Sequence, residues 1–190
     1  MTLILLLGTA ILSACGGETQ ISASPTSTPI PGRTPTPAAT QTPFQGTRGP
    51  LRRLPPDTQT TALLKDVRIG LHAEFDRIVF EFTTGRPGYT IEYVDPTIIR
   101  DPSGLSTQIQ GGAFLKIVLQ PAAAHDPNIG NPTYTGPLEL TPKLPAILEA
   151  EQIGDFEAIL TWVVGLNPAA DFRVTELTDP IRVVIDIKHP

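Results

Sequence analysis

Residues 76–82 read Asp-Arg-Ile-Val-Phe-Glu-Phe, and their alternation decides the fold class. A period of two places Ile78, Phe80 and Phe82 on one face and Arg77, Val79 and Glu81 on the other, as a half-buried β-strand requires. Working outward, residues 113–119 (AFLKIVL) and 181–188 (IRVVIDIK) repeat the pattern, the second with Ile181, Val183, Ile185 and Ile187 inward. Residues 64–69, 89–94, 148–153, 158–166 and 172–177 are further strands by their apolar, β-branched and aromatic content. Turn-forming residues separate them: Gly85-Arg86-Pro87-Gly88, Asp101-Pro102-Ser103-Gly104, Gly111-Gly112, Gly154-Asp155, Asn167-Pro168 and Asp179-Pro180. No stretch carries a convincing amphipathic helix. The pattern predicts an all-β fold, a small β-sandwich of about eight to nine short strands.

Residues 77–82 and 182–187 share one order: Arg, apolar, Val, apolar, acid, apolar. Amphipathic strands have few ways to be written, so convergence accounts for the echo. If the two strands pair, opposite charges facing each other across them contribute about 0.2–1 kcal/mol each.

The chain before this domain is different in kind. Residues 3–7 and 10–12 form an apolar run ending in Leu12-Ser13-Ala14-Cys15-Gly16-Gly17. The run suits a signal peptide and is too short for a spanning helix, which needs about 20 residues. The tetrapeptide Leu-Ser-Ala-Cys resembles the bacterial lipobox. That resemblance implies diacylglycerol (palmitate-type) modification of the Cys15 thiol, cleavage after Ala14, and retention at a membrane by two or three acyl chains. No Lys or Arg precedes the apolar run.

Residues 16–57 hold nine prolines and eleven Ser or Thr, with only Ile21, Ile30, Phe44, Leu51 and Leu54 as large apolar residues. Such a segment buries too little apolar surface to offset its ordering entropy and is expected to be a disordered Pro/Thr/Ser-rich tether. Stretched as polyproline II at about 3.1 Å per residue it reaches roughly 130 Å. The expected organisation is a signal peptide at 1–14, lipidated Cys15 with its linker to 57, and a β-domain at 58–190. The linker's four arginines face two acids, whereas the remainder has ten basic against seventeen acidic residues, within a net charge of −5. No strongly basic surface is available, which argues against a nucleic-acid partner.

Several segments of the domain carry a family resemblance. These are Leu64-Lys65-Asp66-Val67-Arg68, Phe75 to Phe82, and Pro87-Gly88-Tyr89-Thr90-Ile91-Glu92-Tyr93-Val94. Downstream come Phe114-Leu115-Lys116-Ile117-Val118-Leu119 with Pro121-Ala122, Gly154-Asp155-Phe156 through Trp162, and Phe172-Arg173-Val174 with Pro180 to Asp186. In this order they resemble the AMIN-like domain of bacterial envelope lipoproteins, over about residues 62–189. That family is similar to the AMIN domain, a small β-sandwich that localises periplasmic amidases and secretion pores by binding peptidoglycan. The resemblance implies a non-catalytic binding module of an exported envelope protein.

The residues name no catalytic centre. The only thiol is Cys15, and Ser103 and Ser106 sit in a turn-rich loop without a nucleophile elbow. His72, His125 and His189 lack zinc-site spacing. His72, Glu74 and Asp76 alternate and could approach a metal, as could His125 and Asp126, but such loop clusters are usually solvated. Any two of the seventeen carboxylates could serve glycoside hydrolysis, and none stands out. No cofactor is expected. For a glycan, aromatic rings are the natural platform. Tyr134, in the Pro-, Gly- and Asn-rich loop 128–136, is expected to be the most exposed. Tyr89 and Tyr93 share a strand face with Ile91 and belong to the core, as does Trp162 with its indole N–H on an internal acceptor. The expected partners are membrane lipid through Cys15 and either peptidoglycan or another envelope protein; an unrecognised hydrolase is the remaining alternative.

Overall fold

The computed structural model describes residues 43–57 and 60–190. The expected signal peptide, Cys15 and the linker up to residue 42 lie outside the described residues. Among the described residues thirteen strands form in chain order: β1 (Leu51–Arg53), β2 (Ala62–Leu71), β3 (Phe75–Phe82), β4 (Gly88–Val94), β5 (Ile98–Ile99) and β6 (Ser106–Thr107). Then come β7 (Ala113–Gln120), β8 (Ala122–Ala123), β9 (Glu139–Leu140) and β10 (Ile147–Phe156). The last are β11 (Ile159–Leu166), β12 (Phe172–Thr178) and β13 (Ile181–Lys188). No helix occurs among the described residues. The eight strands of seven residues or more are those that alternation and apolar content mark in the sequence; the other five have two or three residues each.

They pair into two principal sheets, ordered β12-β13-β3-β2-β8 (sheet A) and β1-β4-β7-β11-β10-β9 (sheet B), with β5-β6 as a separate two-stranded flap. Between the two sheets, Leu64, Ile78, Phe80, Phe82, Val183 and Ile185 meet Ile91, Leu115, Ile117, Leu160, Trp162 and Val164. Phe80 and Trp162 meet edge to face at 5.8 Å between ring centroids. Burial of a side chain such as Phe80 contributes about 1.5–3 kcal/mol. A second, smaller core lies on the opposite side of sheet B, where Ile98 and Ile109 cover Phe114, Ile153 and Val163.

The echoing strands do pair. In the β3–β13 register Arg77 faces Asp186 and Glu81 faces Arg182. The first pair is realised as a fork, Arg77 Nε to Asp186 Oδ1 at 2.6 Å and Nη2 to Oδ2 at 3.0 Å, and Arg173 on β12 adds a third bond at 3.0 Å. The second is not, because Lys65 and Arg68 on β2 reach Glu81 first, each at 2.9 Å, while Arg182 turns back to the Pro180 carbonyl at 3.3 Å.

Two boundaries differ from expectation. The ordered unit begins before residue 58: Leu51, Arg52 and Arg53 pair with Ile91, Thr90 and Tyr89, and Thr47 exchanges both backbone bonds with Phe172 at 2.9 Å. Backbone hydrogen bonds hold this strap, and composition does not report them. The β10–β11 turn also falls later than Gly154-Asp155. Phe156 pairs with Ile159, so Glu157 and Ala158 form the two-residue connection, with φ of 50° and 59°, the positive values a type I′ hairpin needs. Gly154 lies instead in β10, after a register shift, and bridges to Asp101.

The charge pairs carry a pH dependence. Hydrogen bonds from Lys65 and then Arg68 hold the Glu81 carboxyl below its ordinary value. Burial pushes the Asp186 carboxyl up, but Arg77 and Arg173 outweigh it and the net direction is down. Carboxylates with depressed folded values stabilise the fold fully above about pH 4.5 and lose that contribution as pH falls through the depressed values. Urea midpoints measured between about pH 6 and pH 3 should therefore fall for the wild type and change less for Asp186→Asn. Equal acid dependence of the two would refute the assignment.

Candidate functional site

The bulges of β10 build the site. Glu149 and Glu151 alternate outward from Ala150, which is in the main core. A register shift between Ile147 and Glu149 lets Ile147 point inward although it is two residues from an outward Glu. Both carboxylates are thereby carried to the outer face of sheet B, beside the second core. Both are nearly covered, Glu149 at 3% and Glu151 at 2% exposure.

The flap closes over them from one side. Ile98 pairs with Thr107 and Ile99 with Ser106, the Asp101 N–H donates to the Ile153 carbonyl at 2.7 Å, and Ile98 is sunk in the second core. This brings Arg100 into an ion pair with Glu151. The Thr107 hydroxyl donates to Glu151 Oε2 at 3.2 Å and accepts from Arg100 Nη2 at 3.3 Å. Glycine sets the other wall. A Cβ on Gly165 would collide with the Gln110 carbonyl oxygen, so its absence lets the loop from Gln108 to Gly112 rest on β11. Gly111, at φ 149°, and Gly112 continue that contact along Leu166. Held there, the Gln110 N–H donates to Glu149 Oε2 at 2.8 Å.

The result is an open recess of about 510 Å³, lined by Arg100, Thr107, Gln108, Gln110, Glu139, Glu149 and Glu151 among others. It offers three carboxylates, one guanidinium already engaged, a hydroxyl and two exposed carboxamides. Such a surface binds through hydrogen bonds and charge.

Tyr134, expected to be exposed, is not: it is 5% exposed and part of the main core. Its ring meets Trp162 edge to face at 6.0 Å, and its hydroxyl donates to the Pro137 carbonyl at 2.7 Å. Gly136 makes room, since a Cβ there would lie 2.6 Å from the phenol. The loop's composition correctly describes a surface backbone, but the side chain folds beneath it. Tyr134 therefore does not line the recess.

Trp162 is fully buried as expected, although its indole N–H has no hydrogen-bond partner among the described residues. Tyr89 and Tyr93 pack against the core; the Tyr93 hydroxyl donates to the Ala170 carbonyl at 2.6 Å and accepts from its N–H at 3.0 Å. Ser103 bonds within its own turn, accepting from the Leu105 N–H at 3.3 Å. His72 stacks on Phe75 at 4.6 Å. Asp76 turns inward to the N–H groups of Ala146 and Ile147 and to His189, at 2.7, 3.0 and 2.8 Å. His125 pairs with Asp155 at 2.7 Å, and Asp126 bonds to Asn128. Among the described residues no three of these side chains gather as a metal ion would need. The recess was missed because nothing ranks Glu149 and Glu151 above other acids in composition. The available signal was two acids at alternate positions of a strand whose next outward residue, Ile153, is apolar.

A family model described as the AMIN-like domain matches residues 62–189. No curated protein and no solved structure matches the chain. The Arg100–Glu151 pair closes the recess wall, so Arg100→Ala should destabilise the fold by about 1–3 kcal/mol, read from urea midpoints. Adding Glu151→Gln should recover part of the loss in a double-mutant cycle. An unchanged midpoint for Arg100→Ala would show that the pair does not hold the flap.

Proposed function

The chain belongs to the AMIN-like domain family, and on that premise we propose that it is a non-catalytic binding module of the cell envelope that engages peptidoglycan through the recess on sheet B. The observation that carries the choice of site is the juxtaposition of two nearly buried carboxylates with a hydroxyl and two exposed carboxamides. Hydroxyls, amides and amines of a wall polymer are the matching groups, and carboxylates and carboxamides are strong acceptors and adaptable donors for them. A binding role suits the geometry better than hydrolysis. Glu151 is committed to Arg100 and Thr107, which anchors a carboxylate and leaves it poorly placed to take and give protons.

The full chain should sediment with purified peptidoglycan sacculi at physiological salt, and Glu149→Gln should weaken retention by about tenfold, as loss of a charge-assisted bond would. No retention above a control protein would overturn the wall-binding reading in favour of docking to an envelope protein.

The same proposal places the domain outside the cytoplasm, tethered to membrane lipid through acylated Cys15, with Leu12-Ser13-Ala14-Cys15 as its support. Cys15→Ala should move the protein out of the membrane fraction and remove the acyl mass increment from the mature chain. Unchanged partitioning, with an unacylated wild-type mass, would overturn the anchor.

A further inference from the structure

Five carboxylates are buried in the described residues: Asp76, Glu81, Glu149, Glu151 and Asp186. Four are matched by a basic side chain: Asp76 by His189, Glu81 by Lys65 and Arg68, Glu151 by Arg100, and Asp186 by Arg77 and Arg173. Glu149 is not. Among the described residues its one hydrogen bond is the Gln110 N–H on Oε2, and no cation lies within ion-pair distance of it. Its other oxygen, Oε1, has no donor among the described residues, and the side chain lines the recess. A buried carboxylate with a single neutral donor is under-compensated, because desolvation is offset only by paired charge and filled lone pairs.

We propose that the recess receives a primary ammonium group carried on a hydroxyl- or amide-rich ligand, with Glu149 as its counter-charge. Three features select that chemistry. Arg100 is spent on Glu151, and the exposed Glu139 at the mouth has no ion pair among the described residues, so the recess is left with an excess of negative charge. Glu149 offers one free oxygen, which suits a compact point donor; a planar guanidinium asks for two. Among the described residues no aromatic ring lines the recess, which removes the cage that a quaternary ammonium prefers. The carboxamides of Gln108 and Gln110 would take the neighbouring hydroxyls or amides.

The inference rests on the wall-binding reading for its choice of ligand. In a wall polymer the same ammonium comes from two sources, a de-N-acetylated amino sugar or the side-chain amine of a stem peptide. The test titrates the full chain with glucosamine tetramer and its N-acetylated twin, and with the peptide Ala-γ-Glu-Lys, acetylated at its N-terminus, with its lysine amine free or acetylated. At least one free amine should bind about tenfold tighter than its acetylated twin, and the pair that discriminates identifies the source. Glu149→Gln, which keeps an acceptor for the Gln110 N–H, should bring that ratio to about one. Glu139→Gln, at an exposed position, should reduce it by about threefold without changing the melting temperature, and serves alone if Glu149→Gln fails to fold. Equal binding of free and acetylated probes, or a preference that survives these exchanges, overturns the inference. Retention on sacculi without amine preference overturns it and leaves the wall-binding reading standing. Amine preference without retention on sacculi does the reverse.

Discussion

The pairing of β3 with β13 is the constraint on which the rest of the structure depends. These strands are a hundred residues apart in the chain and occupy the middle of sheet A. Their register sets Phe80 opposite Val183 and Ile78 opposite Ile185 on the buried face, and Arg77 opposite Asp186 on the other. A slip of one residue would turn the apolar set outward and drive the charged set into the core. The Arg77–Asp186 fork therefore does more for register than for net stability, since a buried ion pair gains little over an apolar one. With that register set, Phe80 meets Trp162 and sheet B has a fixed surface to pack on.

Much of this was legible beforehand. The alternation in 76–82 and 181–188 marks both central strands and their inward residues, because a two-residue period is a direct consequence of backbone geometry. The echo between them, ascribed to few ways of writing an amphipathic strand, now has a further reading: an antiparallel pair with Arg and an acid four apart on each strand matches opposite charges at both ends. Only one of the two matches is used, since Lys65 and Arg68 capture Glu81 from the neighbouring strand. Alternation within a strand does not reveal which of two flanking strands supplies a partner.

The candidate site was far less legible, for related reasons. Glu149 and Glu151 acquire their burial from the flap and from a loop laid on Gly165, elements distant in sequence that have little regular structure of their own. The displaced turn at Glu157-Ala158 lacks the Gly or Asn that normally announces positive φ. Tyr134 shows the same limit from the other side. Composition places its backbone at the surface, and only the space left by Gly136 tells where the ring goes. Side-chain direction in irregular segments is decided by tertiary contacts and has no periodic trace.

The strap from Thr47 to Arg53 has a consequence for how copies of the chain behave together. It bonds to Phe172 at the edge of sheet A and to Ile91 at the edge of sheet B, so it occupies parts of two sheet borders at once. At the other borders β8 covers β2 only at Ala62 and Leu63, and β9 covers β10 only at Ala150 and Glu151. Beyond the strap the long borders are β12 and the part of β2 past Leu63; β12 carries Arg173 and Glu176, and β2 carries Lys65, Asp66 and Arg68, all held in ion pairs. Short, charged or occupied borders give a neighbouring chain little to extend. Crowded copies would therefore gain little by extending one sheet into the next.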